Sequence, residues 1–193
     1  MKTPLLTVVS CALVLASAAC EHPGDAPPAP AATAPPAAVA SAPPASASGG
    51  ISVGAPPPDF TKTAQNGSVV HLFALKGKPA VVYFYPKDET AGCTKEACSF
   101  RDAWDALSKK GVVLIGVSAD PEESHKAFAQ NHQLPFLLVS DPDGQIAASF
   151  GVPFQGGHSA RQSFVIGADG LVKKIYRTVD VTVHAQEILN DLQ

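Results

Sequence analysis

Two stretches of the chain are apolar without interruption. Ala80-Val81-Val82-Tyr83-Phe84-Tyr85 and Val112-Val113-Leu114-Ile115-Gly116-Val117 read as strands covered on both faces. Pro86 ends the first. Between them Ala97, Phe100, Arg101, Trp104, Leu107 and Ser108 recur near helical spacing. Strand, helix, strand is the unit of a parallel sheet. Asp120-Pro121-Glu122-Glu123 predicts a helix start, with an N-cap acid, Pro at the first position and acids in the first turn, running to about Asn131. Phe136–Val139 is a short strand. Ser163–Ile166 and Leu171–Tyr176 flank Gly167-Ala168-Asp169-Gly170, and Asp-Gly between apolar runs signals a hairpin. Asp180 is the expected cap of a last helix with Val181, Ala185, Ile188, Leu189 and Leu192 on one face. Upstream, Ser68–Phe73 has the character of an early strand.

The order is β-α-β-α-β, then a hairpin, then a helix. This predicts an α/β, thioredoxin-like fold with a mixed β-sheet flanked by helices. The pattern belongs to residues 51–193, one domain by size. What precedes it is different. Residues 1–19 have one lysine, an apolar stretch from Leu5 to Leu15 and then small residues, the layout of a secretory signal peptide. The stretch is too short to span a bilayer comfortably. Cys20 follows Ala18-Ala19 as in the lipobox of bacterial lipoproteins, although Ser17 stands where an aliphatic residue is usual. Lipidation of Cys20 and plain cleavage after Ala18 both remain open. Cys11 is ordinary leader sequence. Residues 21–50 hold 11 Ala and 8 Pro and no Lys, Arg or aromatic residue. Such a segment is expected to be a disordered tether (20–50), since it cannot bury enough apolar surface to offset its ordering entropy. The expected localisation is therefore outside the cytosol, either periplasmic or membrane-anchored. A formal charge of −3 argues against nucleic acid as a partner.

With Cys11 and Cys20 in the leader, the domain keeps Cys93 and Cys98. They follow directly on the first strand, where the next helix begins, the usual place for an active site in an open α/β sheet. A helix N-terminus offers unpaired N–H groups and the positive end of the dipole, and both favour a thiolate. A buried, inert cysteine is the bland alternative. Thr90 lies on the approach turn, and its hydroxyl can both donate and accept. Pro86 is placed to shield the sulfur from water. Two cysteines without close His pairs do not suggest a metal site.

Pro86, Thr90 and Cys93 match the P-x-x-x-T-x-x-C signature of peroxiredoxins. Tyr83–Asp88 and Gly92–Asp102 are similar to the Q-type, bacterioferritin-comigratory subgroup, and the resemblance runs from about Val53 to Gln193. It implies that Cys93 is the peroxidatic cysteine, which attacks the O–O bond and becomes a sulfenic acid. It implies that Cys98 is the resolving cysteine, closing a Cys93–Cys98 disulfide. Arg161 matches the arginine that stabilises thiolate and transition state. Glu96 matches a supporting position, with a solvated helix acid as the alternative. The implied enzyme is a thiol peroxidase for hydrogen peroxide and organic hydroperoxides. It needs no metal, haem or flavin cofactor, is recycled by a thioredoxin-like reductant and is expected to be a monomer. Membrane contact is expected only through a lipid anchor at Cys20.

Two positions depart from the subgroup. Ala91 replaces a frequent Pro before Gly92-Cys93, and Pro153 stands where many relatives carry a bulky residue. The rival functions are a tethered thioredoxin-fold metallochaperone and a thiol–disulfide oxidoreductase. Four residues between the cysteines argue against both, since the second uses C-x-x-C. His158 matches nothing in the family pattern, and His71, His125, His132 and His184 are expected on the surface.

Overall fold

The computed structural model describes residues 51–192. The predicted leader, the Ala/Pro-rich tether with Cys20, and Gln193 lie outside the described residues. The two apolar runs become β3 (Ala80–Phe84) and β4 (Val113–Ser118) at the centre of a five-stranded sheet. β5 (Leu137–Ser140) lies beyond β4, while β8 (Gln162–Ile166) and β9 (Val172–Tyr176) extend the other side, in the order β5-β4-β3-β8-β9. β3, β4 and β5 run parallel, whereas β8 and β9 are antiparallel. This is the predicted mixed sheet.

Alternate residues of β3 and the following Tyr85 serve two separate cores, as the two-residue period of a strand requires. Ala80, Val82 and Phe84 join one cluster with Ile115, Val117, Phe150 and Phe164. A hairpin of β1 (Thr61–Thr63) and β2 (Val69–His71) and the short α4 (Gln145–Ser149) cover that side with Ala64, Val70, Ile146 and Ala147. Val81, Tyr83 and Tyr85 face the opposite cluster. There they meet Cys93, Ala97 and Phe100 of α1 (Ala91–Asp102) and Leu107 of α2 (Trp104–Lys109). Phe128 of α3 (Glu122–His132) and Ala185 and Ile188 of α5 (His184–Asp191) complete this cluster.

Several expectations need correction. The helix between β3 and β4 is two helices, broken at Ala103, which closes α1 and opens α2. Asp120 is not the cap of α3. That position falls to Pro121, and the Asp120 carboxylate instead accepts the Asp88 N–H at 2.9 Å and the Ser118 hydroxyl at 2.7 Å. Asp180 stands before a turn, and α5 begins only at His184. The Ser68–Phe73 strand is shorter, Val69–His71, and passes into a 3-10 turn at Leu72–Leu75. β1, α4 and a small hairpin of β6 (Phe154–Gln155) and β7 (His158–Ser159) were not foreseen.

Two histidines expected on the surface are buried. His125 is fully enclosed between α3 and Tyr85. His184 is equally enclosed, with Nε2 against Ser163 Oγ at 2.8 Å and its ring edge-on to Tyr176. Burial pushes the His184 imidazole below its ordinary value. His71 is exposed, as expected, His132 is partly buried, and His158 is exposed.

Candidate active site

β3 delivers the chain to the site. The Tyr85 N–H still pairs with the Val117 carbonyl at 3.1 Å, and Pro86 then carries no donor with which to continue the ladder. The loop from Pro86 to Thr90 turns into α1, with Thr90 as its extended N-cap. Cys93 is the third residue of the helix, so its N–H belongs to the first turn, which has no intrahelical acceptor. The side chain packs into the Tyr-rich core and the residue is buried, at 2% exposure. A thiol so placed is shielded from bulk water yet met by one cation.

That cation is Arg161. Its Nη2 donates to Cys93 Sγ at 3.1 Å, and its Nη1 pairs with Glu96 Oε2. The guanidinium passes beside Gly92, where an added Cβ would lie 3.5 Å from Nη2. Arg161 is aimed by the β6–β7 hairpin. Ser159 Oγ donates to the Tyr85 carbonyl at 2.9 Å, and the Ala160 N–H donates to the Pro153 carbonyl at 2.8 Å. Pro153 therefore serves here as an acceptor that closes the hairpin next to the arginine.

Glu96 is buried on the same helix, at 1% exposure, and its Oε1 has no hydrogen-bond partner among the described residues. Burial pushes the Glu96 carboxyl up to about 7, against the pull of Arg161. Arg161 itself stays above its ordinary value: burial works against its charge, but Glu96 and Cys93 outweigh it. The solvated alternative for Glu96 is thereby excluded. Tyr83 lies below this group, stacked on Tyr85 with ring centroids 5.4 Å apart. Burial, with the carboxylates of Glu96 and Asp88 and the Cys93 sulfur nearby, raises the Tyr83 phenol well above its ordinary value.

Thr90 and Cys98 are placed less directly. The Thr90 hydroxyl donates to the Lys87 carbonyl at 3.0 Å, and no hydrogen bond joins it to Cys93 among the described residues. Cys98 lies half-buried on α1, and both cysteines are free thiols. Pro86 is half-buried.

The loop also holds residues that had drawn no attention. Asp88 is buried, and its carboxylate accepts from Tyr85 Oη at 2.7 Å, Ser124 Oγ at 2.7 Å and His125 Nδ1 at 2.9 Å. Glu89 adopts a left-handed backbone (φ 58°), which costs a side-chain-bearing residue about 1 kcal/mol. Its carboxylate is met by His132 Nε2 at 2.8 Å and Asn131 Nδ2 at 3.0 Å. Ser124 and Asn131, and His125 and His132, are each seven positions apart, two helical turns, and that spacing was the available signal.

Comparison with known proteins identifies the family. The AhpC/TSA family pattern matches residues 53–175. A chloroplastic peroxiredoxin Q from Suaeda salsa is 44% identical over 146 residues, covering 74% of this chain and 68% of its own. The peroxiredoxin bcp of Coxiella burnetii is 40% identical over 149 residues, 74% of this chain and 99% of its own. A crystal structure of the bacterioferritin comigratory protein of Xanthomonas campestris, described for alkyl peroxide reduction, superposes with a TM-score of 0.63 at 32% identity. It covers 69% of this chain and 89% of that one. With a buried cysteine at the head of α1 and an arginine on its sulfur, the chain belongs to the AhpC/TSA family, in its peroxiredoxin Q branch.

Proposed function

We propose that Cys93 is the peroxidatic cysteine of this enzyme, with Arg161, Thr90 and Pro86 completing the site and Cys98 resolving it. The chain is a thiol peroxidase of the peroxiredoxin Q type, working through a peroxidatic cysteine and a thioredoxin-type reductant. The observation that carries the residue assignment is the 3.1 Å contact from Arg161 Nη2 to Cys93 Sγ at the head of a helix. A cation there stabilises a thiolate and the negative charge that grows on the leaving oxygen.

In the first step the Cys93 thiolate attacks one peroxide oxygen. The O–O bond breaks, the sulfur is oxidised to a sulfenic acid, and the other oxygen leaves as water or an alcohol after taking a proton. In the second, the Cys98 sulfur attacks the sulfenic sulfur, a disulfide forms and water leaves. A dithiol of the thioredoxin type then reduces the disulfide by exchange. Both hydrogen peroxide and organic hydroperoxides are read as substrates, the latter by analogy with the Xanthomonas relative.

Cys93 and Cys98 occupy one helix, five positions apart. On an intact helix five residues rise roughly 7.5 Å and leave the side chains about 140° apart, with Cα atoms roughly 8–9 Å from one another. A disulfide needs about 7 Å or less. Resolution by Cys98 therefore requires the first turns of α1 to unwind. Export and a lipid anchor at Cys20, with a monomeric enzyme on a Pro-rich tether, are the accompanying reading of residues 1–50.

Cys93→Ser tests the core of this proposal: peroxide consumption should vanish, and retained turnover would end the assignment. Cys98→Ser should consume about one equivalent of peroxide and then stall with thioredoxin as donor. Recycling at the parent rate would remove Cys98 from the mechanism. Cys20→Ala should move the protein from the membrane to the soluble fraction, and a parent that is already soluble would favour plain secretion.

A further inference from the structure

We propose that α3 is a splint for the active-site loop, with Asp88 and His125 as positioning residues for the reaction of Cys93 with peroxide. The inference rests on Cys93, Thr90 and Arg161 forming the reactive site.

Between Pro86 and Thr90 the chain has no regular secondary structure, and Glu89 stands in a left-handed conformation. Something outside the loop must hold it, and two clasps do so, both from one helix. At the start of α3, Ser124 Oγ and His125 Nδ1 donate to Asp88 Oδ2 at 2.7 and 2.9 Å, while Tyr85 Oη donates to Oδ1 at 2.7 Å. At the end of α3, Asn131 and His132 hold Glu89. The loop backbone is held too, through the Asp88 N–H on Asp120 just before α3. Asp88 and Glu89 sit midway between Pro86 and Thr90, so fixing them restrains the two residues that the proposed site assigns to the sulfur.

The inner clasp is built as an ionic hub. Burial opposes the charge on Asp88, but the donors His125, Ser124 and Tyr85 outweigh it and hold the carboxyl below its ordinary value. A carboxylate acceptor at 2.9 Å puts the imidazole proton on Nδ1. His125 Nε2 has no partner among the described residues, so the ring acts through Nδ1, which also lies 3.3 Å from Tyr85 Oη, and through the aromatic packing around it. The arrangement also separates what must stay from what must move. The grip on Asp88 and Glu89 comes from α3, Tyr85 and Asp120, whereas α1 meets the loop at the Thr90 carbonyl, through the Thr94 N–H at 2.8 Å. The turns after Cys93 can therefore unwind toward Cys98 and free the Thr90 carbonyl while Asp88 and Glu89 stay clasped.

The test compares two reagents at Cys93 in the full-length protein. Peroxide needs an aligned site, whereas iodoacetamide needs only an accessible thiolate. Asp88→Asn replaces the common acceptor, and His125→Leu removes one of its donors. Each should slow the second-order reaction with hydrogen peroxide by about tenfold or more, the scale expected for a displaced reacting group. Alkylation of the Cys93 peptide, followed by mass spectrometry, should stay within about twofold of the parent. His125→Asn returns an amide donor near the Nδ1 position and should recover most of the peroxide rate. Should Asp88→Asn fail to fold, Asn131→Ala at the outer clasp should give the same divergence between reagents, at smaller size. Peroxide and iodoacetamide rates changing in parallel would overturn the proposal, as would a parent-like peroxide rate in folded Asp88→Asn. Cys93→Ser distinguishes the two levels. Its retained activity would refute the site itself, whereas its inactivity beside a fully active Asp88→Asn would refute the splint alone.

Discussion

The two faces of the central sheet make different uses of one strand. Behind β3, Val82 and Phe84 meet Phe150, Phe164, Ile115 and Val117, and the buried polar side chains at the edge of this cluster, Asp141 and Gln162, are both hydrogen-bonded. In front, Tyr83 and Tyr85 meet Cys93, and Asp88, Glu96 and His125 are buried around them. The rear face satisfies its few buried polar groups and otherwise excludes water. The front face gives up some of that benefit to enclose a thiol, two carboxyls and two phenols, and it leaves Tyr83 Oη, Glu96 Oε1 and His125 Nε2 without partners among the described residues. Buried polar atoms left so are costly, by about 1–3 kcal/mol each. Stability and chemistry are thus assigned to opposite sides of a single strand, and a substitution on either side should betray which one it belongs to.

The largest effect is expected from the rear. Phe164→Ala removes a fully buried ring edge-on to Phe84 and Phe150 and should cost about 3–5 kcal/mol of stability. The peroxide rate per folded molecule should stay near that of the parent, as denaturant unfolding and stopped-flow kinetics would show. A matching fall in that rate would dissolve the division between faces. Arg161→Met on the front should do the reverse. Peroxide reduction should drop by about a hundredfold, the loss typical of one donor to a developing oxyanion. The melting temperature should move little, because the substitution also relieves a partly buried charge. An unchanged rate constant would return Arg161 to the role of a strand-end arginine.

Gly116→Ala sharpens the comparison, because it should damage both properties at once. A Cβ at this position would lie 2.7 Å from Leu138 Cδ2 and 2.8 Å from the Tyr83 hydroxyl. Overpacking of this kind costs about 1–3 kcal/mol. Because Tyr83 packs in the Cys93 cluster, displacing it should also slow peroxide reduction, by less than the Arg161 change does. A variant that loses stability and keeps its full rate would show that Tyr83 is filler only.

The smallest effect is a pH dependence. The Glu96 carboxyl titrates near 7 in the folded protein, mainly because it is buried. In the unfolded chain it titrates at about 4.3. Between these values the folded state keeps a proton that the unfolded state has lost, so stability falls as pH rises through this window. Melting temperatures of the reduced protein from pH 5 to 8 should decline more steeply for the parent than for Glu96→Gln. Parallel curves would mean that Arg161 holds the carboxyl ionised throughout.

Much of this was legible in the residue order. β3, β4 and the β8–β9 hairpin were visible because continuous apolar runs and an Asp-Gly turn are local signals. Cys93, Thr90 and Pro86 fall within eight consecutive residues. Arg161 lies 68 positions from Cys93, and only the family pattern linked them. The Asp88–His125 pair spans 37 positions and carries no such pattern, so a buried ionic hub looked like a solvated helix face. α4, with five residues, and the two-residue strands β6 and β7 are too short to show any period. They are held by tertiary contacts alone, yet the β6–β7 hairpin aims the arginine.

The five-position spacing on α1 ties a helix–coil equilibrium to an electrochemical one. If the Cys93–Cys98 disulfide forms only on an opened helix, every increment of helix stability favours the dithiol and makes the couple more oxidising. For this two-electron change 1.4 kcal/mol corresponds to about 30 mV. Thr94 lies between the cysteines, is a weaker helix former than alanine, and has a buried hydroxyl without a partner among the described residues. An alanine there would strengthen the helix by about 0.5 kcal/mol and raise the potential by roughly 10 mV. On that premise the residues between the two sulfurs would be a tuning element for the voltage at which the enzyme accepts electrons, without touching either sulfur.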